Sequence, residues 1–272
     1  MLRQRILTAL VLVPAVIWAV LQLPTQQFAA LLAVLVLMGA WEWSNLAGLR
    51  TPLARVLYVL FVALALWLAW WWHGQAVARL ILFLGFIGWL LALVWISRPD
   101  FARDNDPLKA VAGLWVLVPA WLGLVLLHGH PAIGPRLVLF LMVLIWVADS
   151  GAYFAGRRWG HTKLAPRVSP GKTWEGVYGA LAACTLVALL GAWWMEGTPR
   201  QLVSFLLICL VTILFSIAGD LLESLMKRQR GVKDSGQLLP GHGGVLDRVD
   251  SLTAAAPVFV LGLYWTELWT VL

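Results

Sequence analysis

Apolar and polar positions along this chain do not alternate; they come in blocks. Uncharged apolar runs of about 20 residues recur from end to end, separated by short segments that hold most of the charge. A run of about 20 apolar residues, coiled as a helix, matches the roughly 30 Å of a bilayer's hydrocarbon core. The blocks predict spans at about 5–23, 27–48, 52–72, 76–97, 109–129, 134–156, 173–196, 200–226 and 249–271. The predicted fold class is all-α: a polytopic integral membrane protein with about nine transmembrane helices.

Composition agrees with the pattern. The 272 residues are 61% apolar and only 12% charged, against about 25% charged in soluble domains. Eighteen tryptophans fit the same class, because indole rings favour the membrane–water boundary. Trp70, Trp71 and Trp72, and Trp193 with Trp194, are placed as such anchors. Arg3 and Arg5 precede the first run, but no small-residue cleavage site follows, so that run is expected to remain as a helix. Cys184 and Cys209 lie inside apolar runs and are expected as packing residues, not a disulfide or a metal pair.

Charge then sets direction. With a cytoplasmic N-terminus, every Lys and Arg except Arg79, Arg136 and Arg200 falls on the cytoplasmic side of the nine spans, as the positive-inside rule requires. The net charge of +7 is therefore a membrane-face charge for anionic lipid and solutes, not a nucleic-acid footprint. Residues 1–130 are expected as a helical scaffold. Residues 131–272 are expected as the catalytic region, with cytoplasmic loops 157–172 and 227–248.

Acids near spans are few: Glu42, Asp149, Asp220, Glu223, Asp247 and Asp250 toward the cytoplasmic ends, and Glu267 near the other. Carboxylates at membrane depth usually face partners, ions or a water-filled cavity. Asp220 and Glu223 are one turn apart, and Ser224 and Lys227 continue their face. Acids at a helix C-terminus oppose the helix dipole, a conflict that a bound cation resolves. Asp247 and Asp250 open the last span, where a cap and a first-turn acid also account for them. The functional reading brings Asp220 and Asp247 together across the loop on a hard divalent cation, magnesium. Gly241, Gly243 and Gly244 allow backbone N–H groups to approach an anion, and Lys227, Arg228, Lys233 and Arg248 suit a polyphosphate.

The segment "SPGKTWEG" from Ser169 resembles a nucleotide loop only superficially. A Walker pattern needs glycine at position 166, which is Pro166, and no strand is expected before it. What survives is Ser169, Lys172 and Thr173 at the mouth of a span, placed to contact phosphate. Glu175 suits the positive end of the helix dipole.

Taken together, "SLMKR" from Ser224, "KDSG" from Lys233 and "PGHGGVLDRVD" from Pro240 resemble the signature of the phosphatidate cytidylyltransferase family. The likeness extends to "SPGKTWEG" and to "WEW" at Trp41–Trp43. The resemblance implies transfer of a cytidylyl group from CTP to phosphatidic acid, giving CDP-diacylglycerol and pyrophosphate for phospholipid biosynthesis. It implies magnesium dependence, with a second cation left open, a homodimer, and residence in the bacterial cytoplasmic membrane. Asp220 and Asp247 correspond to metal ligands; Lys227, Arg228, Lys233, Asp234, His242, Arg248 and Asp250 fall on site positions.

The chemistry is consistent with that role. A phosphate monoester with a second pKa of about 6 is largely dianionic at neutral pH and needs no strong base. The obstacle is bringing two polyanions together. His242 is therefore expected to position or donate a hydrogen bond, and Asp234 either orients Lys233 or Arg230 or meets substrate. Two other classes compete: a CTP-dependent kinase of a membrane lipid alcohol, which would need a base, and an ion-coupled transporter, whose acids would sit near the midplane.

Overall fold

A computed structural model of the chain describes residues 2–194, 197–238, 243–266 and 268–270. Gly241, His242 and Glu267 lie outside the described residues. Among the described residues the nine apolar blocks form nine long helices: α1 (Leu2–Gln22), α2 (Thr25–Ala47), α3 (Pro52–Trp71), α4 (Gln75–Ser97), α5 (Asp106–His128), α6 (Gly134–Trp159), α7 (Trp174–Trp194), α8 (Pro199–Arg230) and α9 (Leu246–Trp265). In lipid a backbone polar group has no water partner, so an apolar run must satisfy its own N–H and C=O groups as a helix.

Among the described residues, seven helices, α2 to α8, are long and apolar enough to cross a membrane. In α1 the apolar helical stretch is the shorter Leu10–Gln22. The helix α9 differs in kind. It opens on Asp247, Arg248 and Asp250, and its middle, Ala254 to Leu261, is buried throughout. It packs against α8, α5 and α4 and forms the centre of the bundle. Its small residues let neighbours approach: a Cβ on Gly123 of α5 would stand 3.2 Å from the Ala256 carbonyl. Trp43, Trp89, Leu117, Leu222, Leu246 and Val258 share one core cluster, which joins residues from both sides of position 130.

Hydrogen bonds define the two ends of the bundle. At one end, Arg55 at the start of α3 donates to the Trp41 carbonyl near the end of α2. Gln229 at the end of α8 donates to the carbonyls of Pro99 and Phe101, beyond α4. At the other end, His128 of α5 meets Thr25 of α2 and the Val20 carbonyl of α1. The first is the loop end of the bundle.

One expectation fails here. A two-stranded antiparallel hairpin, β1 (Lys163–Ala165) and β2 (Ser169–Thr173), stands in the 157–172 loop, and Gly171-Lys172-Thr173 lies in its second strand. Strands of 3 and 5 residues are too short for a period-2 pattern to register. The hairpin is held from outside: Val168 at its turn is buried, and its carbonyl accepts from Arg228 Nε at 3.4 Å. Arg167 pairs with Asp100, whose carboxyl it holds below its ordinary pKa by that hydrogen bond.

Two features position the site. The first is the length of α8, whose 32 residues extend about 48 Å, well beyond the roughly 30 Å hydrocarbon core. The excess carries Asp220 to Arg230 to the loop end. The second is the seam between α6 and α7, where a Cβ on Gly179 would come within 2.3 Å of Ala155 Cβ and 2.6 Å of the Gly151 carbonyl. Small residues bring these backbones into contact. Gly179→Val is expected to lower stability by about 1–3 kcal/mol through overpacking. Thermal unfolding in detergent checks this, and an unchanged midpoint would count against the close approach.

Candidate active site

Five elements, α6, β1, β2, α7 and α8, meet at the loop end around a cavity of about 460 Å³, whose lining includes Asp149 of α6, Lys172 of β2, Asp220 of α8, Tyr153 and Arg157. Lys172 Nζ lies 2.7 Å from Asp220 Oδ2. Ser224, one turn on, donates to Asp220 Oδ1 at 3.2 Å. Strand β2 aims Lys172 at the cavity because Thr173, its last residue, is buried and tied to α7: the Thr173 hydroxyl accepts from Gly176 N–H at 3.2 Å. Thr173 thus caps α7 while lining the cavity. Glu175 accepts from Thr162 N–H and closes the hairpin's base. Arg157 donates to the Tyr153 hydroxyl at 2.8 Å.

Beside the cavity lies a second ionic cluster. Lys227 Nζ is 2.7 Å from both Glu223 Oε2 and Asp247 Oδ1, and all three side chains are largely buried. Asp247 Oδ2 accepts from Ser235 N–H at 3.0 Å, Ser235 Oγ at 3.0 Å and Gly244 N–H at 2.8 Å. Gly243 has φ +83, and an added Cβ would stand 2.8 Å from Asp247 Oδ2, so only glycine permits the turn. The clusters are contiguous: Asp250 interacts electrostatically with Asp220, Lys172 and Lys227, and Glu223 with Asp250 and Asp247.

Each aspartate singled out for a metal is engaged with its own lysine, Asp220 with Lys172 and Asp247 with Lys227. Among the described residues, no three His, Cys, Asp or Glu side chains are grouped as a metal cage. The donor set still fits a hard cation shared with phosphate. Asp149, Asp220, Glu223, Asp247 and Asp250 face two lysines, and Glu223 Oε1 is buried without a hydrogen-bond partner. Magnesium takes few carboxylates, retained waters and phosphate oxygens, not a full protein cage.

The other sequence-derived residues divide clearly. Arg228, Lys233, Asp234 and Arg248 are exposed around the loop. Ser169 starts β2, opposite Ala165. Tyr153, Arg157 and Ser235 were absent from the predicted site; "KDSG" held the signal for Ser235, whereas nothing local marks Arg157 as facing the same cavity as Asp220.

Helix α9 reveals one more buried group. Its N-cap residue, Val245, offers no side-chain cap. Glu42 of α2 supplies one instead: Oε1 accepts from Val245 N–H and Oε2 from Leu246 N–H, each at 2.9 Å, across 203 and 204 residues of sequence. Carboxylate acceptors at a helix start satisfy orphan donors and favour the dipole.

Comparison with known proteins places this architecture. The cytidylyltransferase family matches residues 3–265. The phosphatidate cytidylyltransferase of Pseudomonas aeruginosa is 45% identical over 272 residues, covering 99% of this chain and 99% of its own length. Those of Haemophilus influenzae and Brucella suis are 40% and 37% identical, covering 95% and 96% of this chain and 97% and 92% of their own lengths. A match over nearly the whole chain, with these residues gathered at one end of a helical bundle, shows that the chain belongs to the cytidylyltransferase family.

Proposed function

We infer that this protein transfers a cytidylyl group from CTP to phosphatidic acid, forming CDP-diacylglycerol and pyrophosphate. The observation that carries the reading is the 45% identity to a phosphatidate cytidylyltransferase over 99% of both chains. The 460 Å³ cavity supports it, because it combines acids and a lysine at the end of apolar helices, where a lipid head group and a soluble nucleotide can meet.

The proposed reaction is a direct displacement. An oxygen of the phosphatidate phosphate attacks the α-phosphorus of CTP and forms a new P–O bond. The bond from that phosphorus to the bridging oxygen breaks, and pyrophosphate leaves with the electron pair. The attacking phosphate is already mostly dianionic, so no residue is assigned as a strong base. Lys172, held by Asp220, presents charge to the phosphates in the cavity. Arg228 at the end of α8, Lys233 in the loop and Arg248 at the start of α9 surround the triphosphate, with Ser169, Thr173, Ser224 and the glycines 241, 243 and 244 at its edges. Lys227 is already paired twice, so its work is to hold Asp247 and the α8–α9 junction. Asp234, His242 and Asp250 orient these groups. Magnesium is the proposed cofactor, and Asp220 and Asp247 are the residues that would hold it. When bound it neutralises charge between the two polyanions.

The rest of the proposal concerns setting. All nine helices span a bacterial inner membrane, with the N-terminus and the loop end in the cytoplasm. Residues 1–130 act as scaffold and supply contacts in a homodimer. The test is incubation of the purified protein with labelled CTP, phosphatidate and magnesium. A lipid-linked cytidine product and one pyrophosphate per turnover are expected. Release of CDP would point to a lipid-alcohol kinase, and ion flux without nucleotide to a transporter; either would overturn the reading.

A further inference from the structure

Glu42 stands well away from the catalytic sequence, yet it is the most completely enclosed acid at the loop end, at 2% exposed. Burying a carboxylate is expensive unless hydrogen bonds replace its water. Three donors do so here: Val245 N–H, Leu246 N–H and Ser235 Oγ, the last at 3.1 Å. The space is shaped for it as well. A Cβ on Gly236 would fall 2.4 Å from Glu42 Oε1, and one on Gly244 2.6 Å from Oε2.

Ser235 makes the connection to chemistry. Its hydroxyl, 2% exposed as a residue, lies within hydrogen-bond distance of both Glu42 Oε2 and Asp247 Oδ2. One hydroxyl proton serves one acceptor at a time, so Ser235 links two carboxylates whose shared donors hold them in register. Glu42 fixes the first turn of α9, and the Ser235 hydroxyl then fixes the Asp247 carboxylate on that turn. From there contact runs through Lys227 to Glu223.

We propose that Glu42 is a positioning residue for the transfer reaction, holding the start of α9 and, through Ser235, the orientation of Asp247. The inference rests on the function proposed above. It gives the N-terminal helices a direct part in the site, since Glu42 is on α2 and the residues it orders are on the 231–247 segment. It also explains why both glycines flanking this carboxylate are needed: any side chain there would enter its place.

The conservative variants are Glu42→Gln and Ser235→Ala. The amide of Glu42→Gln keeps the shape but points one N–H₂ group at a backbone N–H. Partners that orient a ligand-bearing side chain typically contribute about 10–100-fold, and a loss of that size is expected in kcat for Glu42→Gln. KM for CTP and for phosphatidate should stay within about twofold, because Glu42 touches neither substrate. Ser235→Ala should lower kcat by about fivefold to tenfold, and the double variant should be no worse than Glu42→Gln alone, since both act through one hydroxyl bridge.

Three results would overturn the proposal: wild-type kcat in folded Glu42→Gln, a rise in KM with kcat unchanged, or losses that multiply in the double variant. If Glu42→Gln does not fold, Ser235→Ala decides alone, because it leaves both backbone caps intact; an unaltered kcat there rejects the role. Wild-type protein that makes no lipid-linked cytidine defeats the functional reading itself. Active wild type beside equally active variants defeats only the role of Glu42.

Discussion

Asp220→Asn is expected to reduce CTP-dependent formation of lipid-linked cytidine by about 10²–10³-fold, the range seen when one aimed electrostatic group is removed from a reaction centre. The substitution preserves size and shape, and Ser224 Oγ can still donate to the remaining carbonyl oxygen, so packing in α8 is kept. What changes is charge. Asp220 is the 2.7 Å partner of Lys172 and shares the cavity lining with Asp149. Without it, Lys172 is free to turn toward Asp149, and the cavity loses both an anionic anchor and the set direction of its cation. Steady-state assay of detergent-purified protein, with folding checked by an unchanged elution profile, gives the answer. Turnover within about threefold of wild type would remove Asp220 from the chemistry.

Lys227→Met should have the largest effect on stability. Lys227 is the shared partner of Glu223 and Asp247, and the three side chains are 14%, 4% and 10% exposed. Methionine fills the space of the aliphatic stem but leaves two buried carboxylates facing each other with no cation between them. Removing one partner of a buried ion pair destabilises by about 3–5 kcal/mol, and here two pairs are broken at once. A lowered thermal midpoint in detergent is the expected observation. Lys227→Met combined with Glu223→Gln should recover part of the loss, because it removes one of the stranded charges. A single variant as stable as wild type would show that the triad contributes nothing to holding α8 and α9 together.

Much of this was legible in the sequence. Helix after helix falls within a few residues of the predicted blocks: 52–72 became Pro52–Trp71, and 76–97 became Gln75–Ser97. Asp220 and Glu223, just before "SLMKR", and the acids of "PGHGGVLDRVD" do gather at one end. The pairings were less legible. The expectation that Asp220 and Asp247 share a cation did not include the lysine that each contacts, Lys172 of β2 and Lys227 of α8. Asp247 was open to reading as a cap, whereas the cap of α9 comes from Glu42. The β1–β2 hairpin left no readable pattern, because strands of 3 and 5 residues, the second containing Pro170, are too short to show periodicity.

By itself the sequence determined that the chain forms a series of apolar helices, in what order, and which short loops carry charge. Those properties are local: a run of about 20 uncharged residues admits one way to satisfy its backbone in lipid. Only the tertiary structure decided which lysine meets which acid and that a glutamate on α2 caps α9. Those choices depend on how each helix is rotated and how closely small residues let it approach its neighbours. Groups two hundred residues apart are matched by packing, and no local periodicity encodes it.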